Sequence, residues 1–540
     1  MKKIKFLASA LAAVIVAGFT SSCVKDLDVT PIDPNTVLPE DVLNSEEAFN
    51  QFLAKCYQGL CSSASAGPDS SPDIDGVDGG YGQYMRALVN LQEVTTDVAI
   101  CCWNDGTLFD LHNQCWTPNN EFVFSMYMRI FFQISQCNEF IRRAKAATFD
   151  FPKKNAFIAE ARALRLLSYY HAIDMFGNVP YSTEENSVGS EAPQMIKRAD
   201  LFNELTKEAN DLLSAKGLAE PGQGEYGRAD KGMVEMILAK LYLNSEVWTG
   251  EARYAECAAQ CLDIIAQYPL HINPDKPERS YADLFCADNH LWTSNKNYGP
   301  DNEIIFVAPQ DGNLLRSYGS TNFLTFACTW AVENNPEKTM DAGALGISSG
   351  WSGLSLTGAF TSKFETGDTR AMFYQGGFKQ YVDKIRDEAG GSEGWKSMKF
   401  VNVNHNGTAA QANGFVDIDF PVFRAADAYL MYAECAARIP NKLDTDKGKE
   451  CLNAVRKRAG LGVANLTLED VLDERARELY LEGHRRQDLV RFGLFTSADY
   501  LWEFKGGVQE GKGIDSHFNL FSIPADDLNA NGNLVQNPGY

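Results

Sequence analysis

The clearest regularity in the chain is an apolar pattern at steps of three and four between residues 157 and 176. Phe157, Ala161, Leu164, Ala172 and Met175 recur on one side, while Ala163, Leu166, Tyr170 and Ile173 form a second apolar stripe. A helix apolar on two sides needs neighbours on both. Gly177 can take a left-handed conformation past the last turn and Pro180 prevents resumption, so this helix should end near Phe176. Similar periods predict a helix capped by Ser45 and carrying Ala48, Phe49, Phe52, Leu53 and Tyr57, a helical run from Arg86, and a long aromatic helix over 122–147. A helix–turn–helix rhythm then pairs 155–176 with 199–215, 230–248 with 251–268, and 425–439 with 447–459. These pairs bury small residues such as Ala239, Ala255, Ala258, Ala433 and Ala437. The pattern predicts a mainly α fold, a tetratricopeptide-like helical array.

Between 271 and 420 the pattern changes to Gly, Asn, Ser and aromatic residues with few helical runs. Because helical periods resume afterwards, this stretch is expected to be a loop-rich inserted subdomain with short strands at 303–309 and 399–403, flanked by repeats over about 40–270 and 421–540. One last helix is expected over 468–492. It carries Arg475, Arg477, Arg485, Arg486 and Arg491 against Glu474, Glu478, Glu482 and Asp488, at spacings that predict ion pairs along its own surface.

At the N-terminus, three lysines precede the apolar run 6–19, too short for a membrane span and suited to a signal-peptide core, so residues 1–22 should be removed. The run ends in Thr20-Ser21-Ser22-Cys23, which resembles a relaxed bacterial lipobox and makes Cys23 the candidate lipidation site; an ordinary secretory signal is the alternative. No later apolar run approaches spanning length, so the expected body, 23–540, is held at a membrane by its acylated end. A formal net charge of −22, more negative once the leader's lysines are gone, argues against nucleic-acid binding. Thirteen cysteines are scattered without metal spacing or a small disulfide framework, so most are expected to be buried thiols.

Motifs of catalysis are missing: there is no HExxH, no GxSxG and no cysteine–histidine protease signature. Residues 506–513, GGVQEGKG, nearly spell a phosphate loop, but Gly513 stands where Ser or Thr must ligate magnesium, so a surface turn is expected. A glycosidase carboxylate pair meets in space and not in sequence, and none can be picked out. In the long loop 62–82, Asp73, Asp75 and Asp78 resemble half of a calcium loop, without the distal Glu and flanking helices of an EF-hand. What stands out is aromatic residues in Gly/Asn/Ser-rich loops: Trp103 before Asn104 and Asp105, Tyr318, and Trp351 between Gly350 and Gly353. Flat rings bury the CH face of pyranose sugars while flanking polar groups bond the hydroxyls; ordinary core packing is the competing reading for each ring.

Three segments together resemble a known family. FGNVPY at 176–181, ERARELYLEGHRRQDLVRFG at 474–493 and FSIPADDLNANGNLVQNPGY at 521–540 look like signatures of the RagB/SusD family of outer-membrane lipoproteins, in the family's order and over essentially the whole mature chain. The resemblance implies a non-enzymatic cell-surface protein that binds an α-glucan such as starch or maltooligosaccharide and partners a SusC-like TonB-dependent barrel in the outer membrane. Another glycan or a peptide is the alternative cargo, and a glycoside hydrolase the alternative class. By similarity Trp103, Tyr318 and Trp351 match an aromatic arc, and Asp78 and Arg86 match polar sugar contacts. Cys101 stands where the pattern has a second tryptophan, and its hydrogen-bonding asparagine falls near Gly106, leaving Asn104 or Asp105 to take that place. No cofactor is implied.

Overall fold

A computed structural model of the chain describes residues 42–540 apart from 65, 187, 188, 190, 301 and 387–391. The chain divides into a leading stretch, Met1–Phe49, and a body, Asn50–Tyr540. Cys23 and the signal-like segment lie outside the described residues. Within the leading stretch the Ala48 amide donates to Ser45 Oγ at 3.2 Å, the expected cap where α1 (Glu46–Cys61) begins.

The body is mainly helical, with α2 (Tyr84–Gln92), α3 (Glu121–Ala146), α4 (Lys154–Met175), α5 (Arg198–Ser214), α6 (Lys231–Thr249), α7 (Tyr254–Gln267), α8 (Ser320–Cys328), α9 (Ala425–Arg438), α10 (Thr445–Arg458), α11 (Leu468–Leu479) and α12 (Arg485–Arg491). Consecutive helices pack in pairs, α3 on α4, α4 on α5, α6 on α7 and α9 on α10, and α7 also meets α9. Both apolar stripes of α4 are therefore covered, and Ala161, Leu164, Ala172 and Ile173 are fully buried. The helix stops where expected: Phe176 caps it and Gly177 follows at φ +72°.

Strands are short and pair two by two. β1 (Ala99–Cys101) runs antiparallel to β3 (Leu354–Leu356), and β2 (Ile304–Ala308) antiparallel to β4 (Phe420–Arg424). The strand expected at 399–403 does not form. The segment makes only isolated bridges, Val401 with Cys286 and Val403 with Ala409, while Asn402 N donates to Leu345 O and Lys399 turns its side chain inward to Glu482 and Tyr480 O, each at 2.6 Å.

The last helix is also corrected. It is two helices, broken over Tyr480–His484 by Leu481 at φ +59° and Gly483 at φ +83°. Its arginines are buried, and most find partners elsewhere: Arg485 on Asp97 at 2.7 Å, Arg475 on Asp427 at 2.7 Å, and Arg491 on Glu434 at 2.7 Å. Arg477–Glu474 and Arg491–Asp488 are the pairs that keep the three-residue spacing. The twelve cysteines among the described residues are unbridged, and all but Cys115 are buried, as their scatter predicted. Residues 506–513 form a turn, with Lys512 N donating back to Lys505 O at 3.0 Å.

Candidate functional site

The β1–β3 pair does for the site what its length would not suggest. By pairing Cys101 with Leu354 it brings the loop carrying Trp103 beside the loop carrying Trp351. The contact continues past the strands, where Cys102 N donates to Gly353 O at 2.9 Å and Trp103 Nε1 to Trp351 O at 3.3 Å. The two indoles lie 6.4 Å apart, inclined by 49°. Tyr318 stands 6.0 Å from Trp351, inclined by 63°.

Each ring rests partly on core and is partly exposed. Trp103 lies against the buried Phe323 at 6.0 Å, and Trp351 against the buried Phe326 at 4.8 Å; both phenylalanines belong to α8. Core packing and an open aromatic face thus coexist in the same residues. Tyr318 is steered by its hydroxyl, which donates to Asp69 Oδ1 at 2.5 Å, and by Arg86, whose guanidinium donates to Tyr318 O at 3.1 Å.

Arg86 belongs to the first turn of α2, where the Gln83 side chain caps the helix through Arg86 N at 2.9 Å and accepts from Ser320 N at 3.1 Å. One glutamine thereby ties α2 to the start of α8. The Arg86 guanidinium lies over the Phe323 ring at 4.3 Å and over Trp103 at 5.5 Å. Burial lowers its pKa to about 10, partly offset by Cys101, Asp105 and Asp78, so it stays charged at neutral pH.

All seven residues anticipated from the sequence, Asp78, Arg86, Trp103, Asn104, Asp105, Tyr318 and Trp351, line one cleft of about 550 Å³. Asp78, Asn104 and Asp105 are exposed at it. Gly80, Tyr81, Cys102 and Arg386 complete the lining, and sequence reasoning missed them. Tyr81 carried a usable signal, an aromatic ring between Gly80 and Gly82; Arg386 carried none. Cys101 is buried on β1 and presents no ring to the cleft.

The three carboxylates of the half calcium loop are engaged separately. Asp73 pairs with Arg129 at 2.6 Å, Asp78 Oδ1 accepts from Gly80 N and Tyr81 N at 2.7 and 2.9 Å, and Asp75 is exposed. Among the described residues no three His, Cys, Asp or Glu side chains are gathered as a metal ion would need.

Comparison with known proteins puts this geometry in a lineage. The chain is 31% identical to the starch-binding protein SusD of Bacteroides thetaiotaomicron, over all of this chain and 99% of that one. The chain belongs to the SusD family. That family's sequence pattern matches residues 272–540. A SusD-like protein, P25, of Formosa agariphila is 24% identical over 71% of this chain and 73% of its own. Among solved structures, surface glycan-binding protein A of B. thetaiotaomicron in complex with laminarihexaose superposes with a TM-score of 0.66, at 20% identity over 91% of this chain and 99% of that one. A laminarin-binding SusD-like protein does so at 0.64, with 20% identity over 92% and 100%. At such identities the two structures establish the SusD fold alone. Among the described residues, no helix of this SusD family member is long and apolar enough to cross a membrane.

Proposed function

We propose that this SusD family member is a cell-surface glycan-binding lipoprotein that captures an α-glucan, starch or maltooligosaccharide, for uptake through a TonB-dependent outer-membrane barrel. The observation that carries the reading is the convergence of three inclined aromatic rings and four polar side chains on one cleft. Ring planes tilted by 49° and 63° suit a chain that turns as it passes, as an α-glucan does; a flat ribbon would ask for coplanar rings. Stacking contributes on the order of 1 kcal/mol per ring and hydroxyl bonds to exposed groups a similar amount, so a shallow cleft of this kind supports modest affinity. The 31% relative's name speaks for starch, while laminarin in the titles of the 20% neighbours makes a β-glucan the second reading.

Against a glycoside hydrolase stands the setting of the carboxylates. A general acid needs a carboxyl kept protonated by apolar surroundings, whereas Asp78 and Asp105 are exposed and Asp78 already accepts two backbone amides. Lipidation at Cys23 would hold the protein in the outer membrane facing the exterior, and a body without a spanning helix among its described residues needs a barrel to move its cargo. The paired helices support the tetratricopeptide-like reading and offer a broad face for such a partner. Calcium at Asp73, Asp75 and Asp78 is tested by titration calorimetry with the metal.

The deciding experiment is calorimetry of the mature domain with maltoheptaose and laminarihexaose, followed by a reducing-end assay on the mixture. Binding of maltoheptaose without release of reducing ends is expected. Preference for laminarihexaose would replace the α-glucan with a β-glucan, and release of reducing ends would establish a hydrolase. Affinity purification from detergent-extracted membranes should bring down a barrel protein in near-equal amount; recovery of the protein alone, after crosslinking, overturns the transporter partnership.

A further inference from the structure

The aromatic arc and its polar neighbours do not account for the whole lining of the cleft. Tyr81 also faces it, and nothing in the assigned set uses it. Its ring is stacked on Phe122 at 4.4 Å with the planes 29° apart, so one face is closed by a residue itself only 2% exposed. Its hydroxyl donates to Glu121 Oε2 at 3.2 Å, and its backbone amide to Asp78 Oδ1 at 2.9 Å. Three restraints therefore hold a half-buried ring between two glycines, Gly80 and Gly82, which have no side chains to cover it.

The anchor is shared with the arc. Glu121 N donates to Thr107 Oγ1 at 2.9 Å, and Asn120 Nδ2 to Thr107 O at 3.0 Å, so the loop that carries Trp103, Asn104 and Asp105 is fastened to the same end of α3 that holds Tyr81. Burial first, and then the carboxylates of Glu121, Asp78 and Asp105, push the Tyr81 hydroxyl far above its ordinary range, which keeps it a neutral donor. A ring fixed this firmly, with an apolar backing and carboxylates beside its polar tip, has the composition of a sugar-stacking position.

We infer that Tyr81 forms a further glycosyl subsite of the cleft, in which its open face stacks on a neutral hexose unit beyond those covered by Trp103, Trp351 and Tyr318, while Asp105 or Glu121 accepts from that unit's hydroxyls. This rests on the glycan-binding reading above and deepens it. The subsite makes the cleft sensitive to chain length: a short oligosaccharide fills the arc alone, and a longer one reaches Tyr81 as well.

The test compares wild type, Tyr81→Ala and Tyr81→Phe by calorimetry with the trisaccharide and the heptasaccharide of whichever glucan series the wild type binds. Tyr81→Ala should weaken heptasaccharide binding on the order of tenfold and trisaccharide binding less than about twofold, while Tyr81→Phe, which keeps the stacking face, stays within about threefold for both. An equal loss for the two lengths shows that Tyr81 merely supports the loop and overturns the subsite, as does an unchanged heptasaccharide affinity. A wild type that binds neither series removes the glycan-binding reading and the subsite with it; a wild type that binds, with Tyr81→Ala indifferent to length, removes the subsite alone.

Discussion

At the scale of single residues, the site depends on how closely two loops approach. A Cβ added at Gly353 would lie 2.4 Å from the Trp103 ring, far inside contact distance, so the indole must move. Gly353→Ala should therefore weaken glycan binding by at least about tenfold, because Trp103 leaves the arc, while the melting temperature falls by no more than about 3 °C. Trp103→Ala and Trp351→Ala should abolish measurable binding in the same calorimetric assay. Their effect on stability is larger than for a free loop residue, since each ring also covers a buried phenylalanine of α8. Wild-type affinity in either tryptophan variant would sink the aromatic-arc assignment.

At the scale of elements, the informative feature is the break between α11 and α12. An unbroken helix would carry Glu482 onward around its axis; the break instead delivers it to Arg424 at 2.7 Å and Lys399 at 2.6 Å. Gly483 makes the reversal and is clamped from the other side, its amide donating to Glu93 Oε1 at 2.7 Å while His484 N donates to the same oxygen at 2.9 Å. In Gly483→Ala a side chain must adopt φ +83° and press on Leu88 at 3.3 Å. We expect a loss of about 1–3 kcal/mol in chemical denaturation, with no change in glycan affinity because the cleft is built elsewhere. A variant as stable as wild type would show that the break is held by its ion pairs and not by the glycine.

At the scale of the whole molecule, charge is buried in a connected set. Arg424 reaches Glu303 at 2.6 Å and Glu478 at 2.9 Å, Arg458 reaches Glu303 at 2.5 Å, and Arg370 reaches Glu474 at 2.6 Å and Glu478 at 3.2 Å, all with almost no exposure. Glu303 immediately precedes β2, Arg370 lies in the loop-rich stretch, Arg424 ends β4, Arg458 ends α10, and Glu474 and Glu478 belong to α11, so the set binds the loop-rich stretch to the late helices. Buried ion pairs add little net stability but leave a large penalty when one partner is lost.

Stability against pH follows from three groups of titrating side chains. Burial raises Glu93, Glu235 and Asp419 to about 7 and Asp230 to about 6, so the native state holds protons that the unfolded chain has released; what they contribute is present below the unfolded values near 4 and is lost as pH rises through 6 to 7. Burial lowers His112 to about 4 and His171 and His484 to about 3, which acts in the opposite sense: their contribution is present above 6.5 and is lost as pH falls through 4 to 3. Four groups against three nearly cancel between pH 5 and 7. Despite burial, which alone would raise them, neighbouring arginines hold Glu478 and Asp488 down to about 2, and that stability is lost below the unfolded carboxylate values. The melting temperature should thus be nearly level from pH 7 to 5 and drop steeply below about 4.5; a protein that grows steadily more stable down to pH 3.5 would contradict this balance.

The helices were legible from local sequence. Local period, a capping Ser45 and the Gly177–Pro180 stop located α4 and its neighbours within a residue or two, because those signals act over a single turn of chain. The sequence also named the seven side chains that the structure brings to one cleft, since aromatic rings among glycines and the family resemblance both mark residues one at a time. Tertiary structure alone decided three things. It split the helix at 480–484, where long-range pairs with Arg424, Lys399 and Glu93 outweigh local helical preference. It withheld a strand from 399–403, where pairing with Cys286 and Ala409 goes no further than isolated bridges. It brought Tyr81 to the cleft through Phe122 and Glu121, 41 and 40 positions away, a distance over which periodicity carries no information.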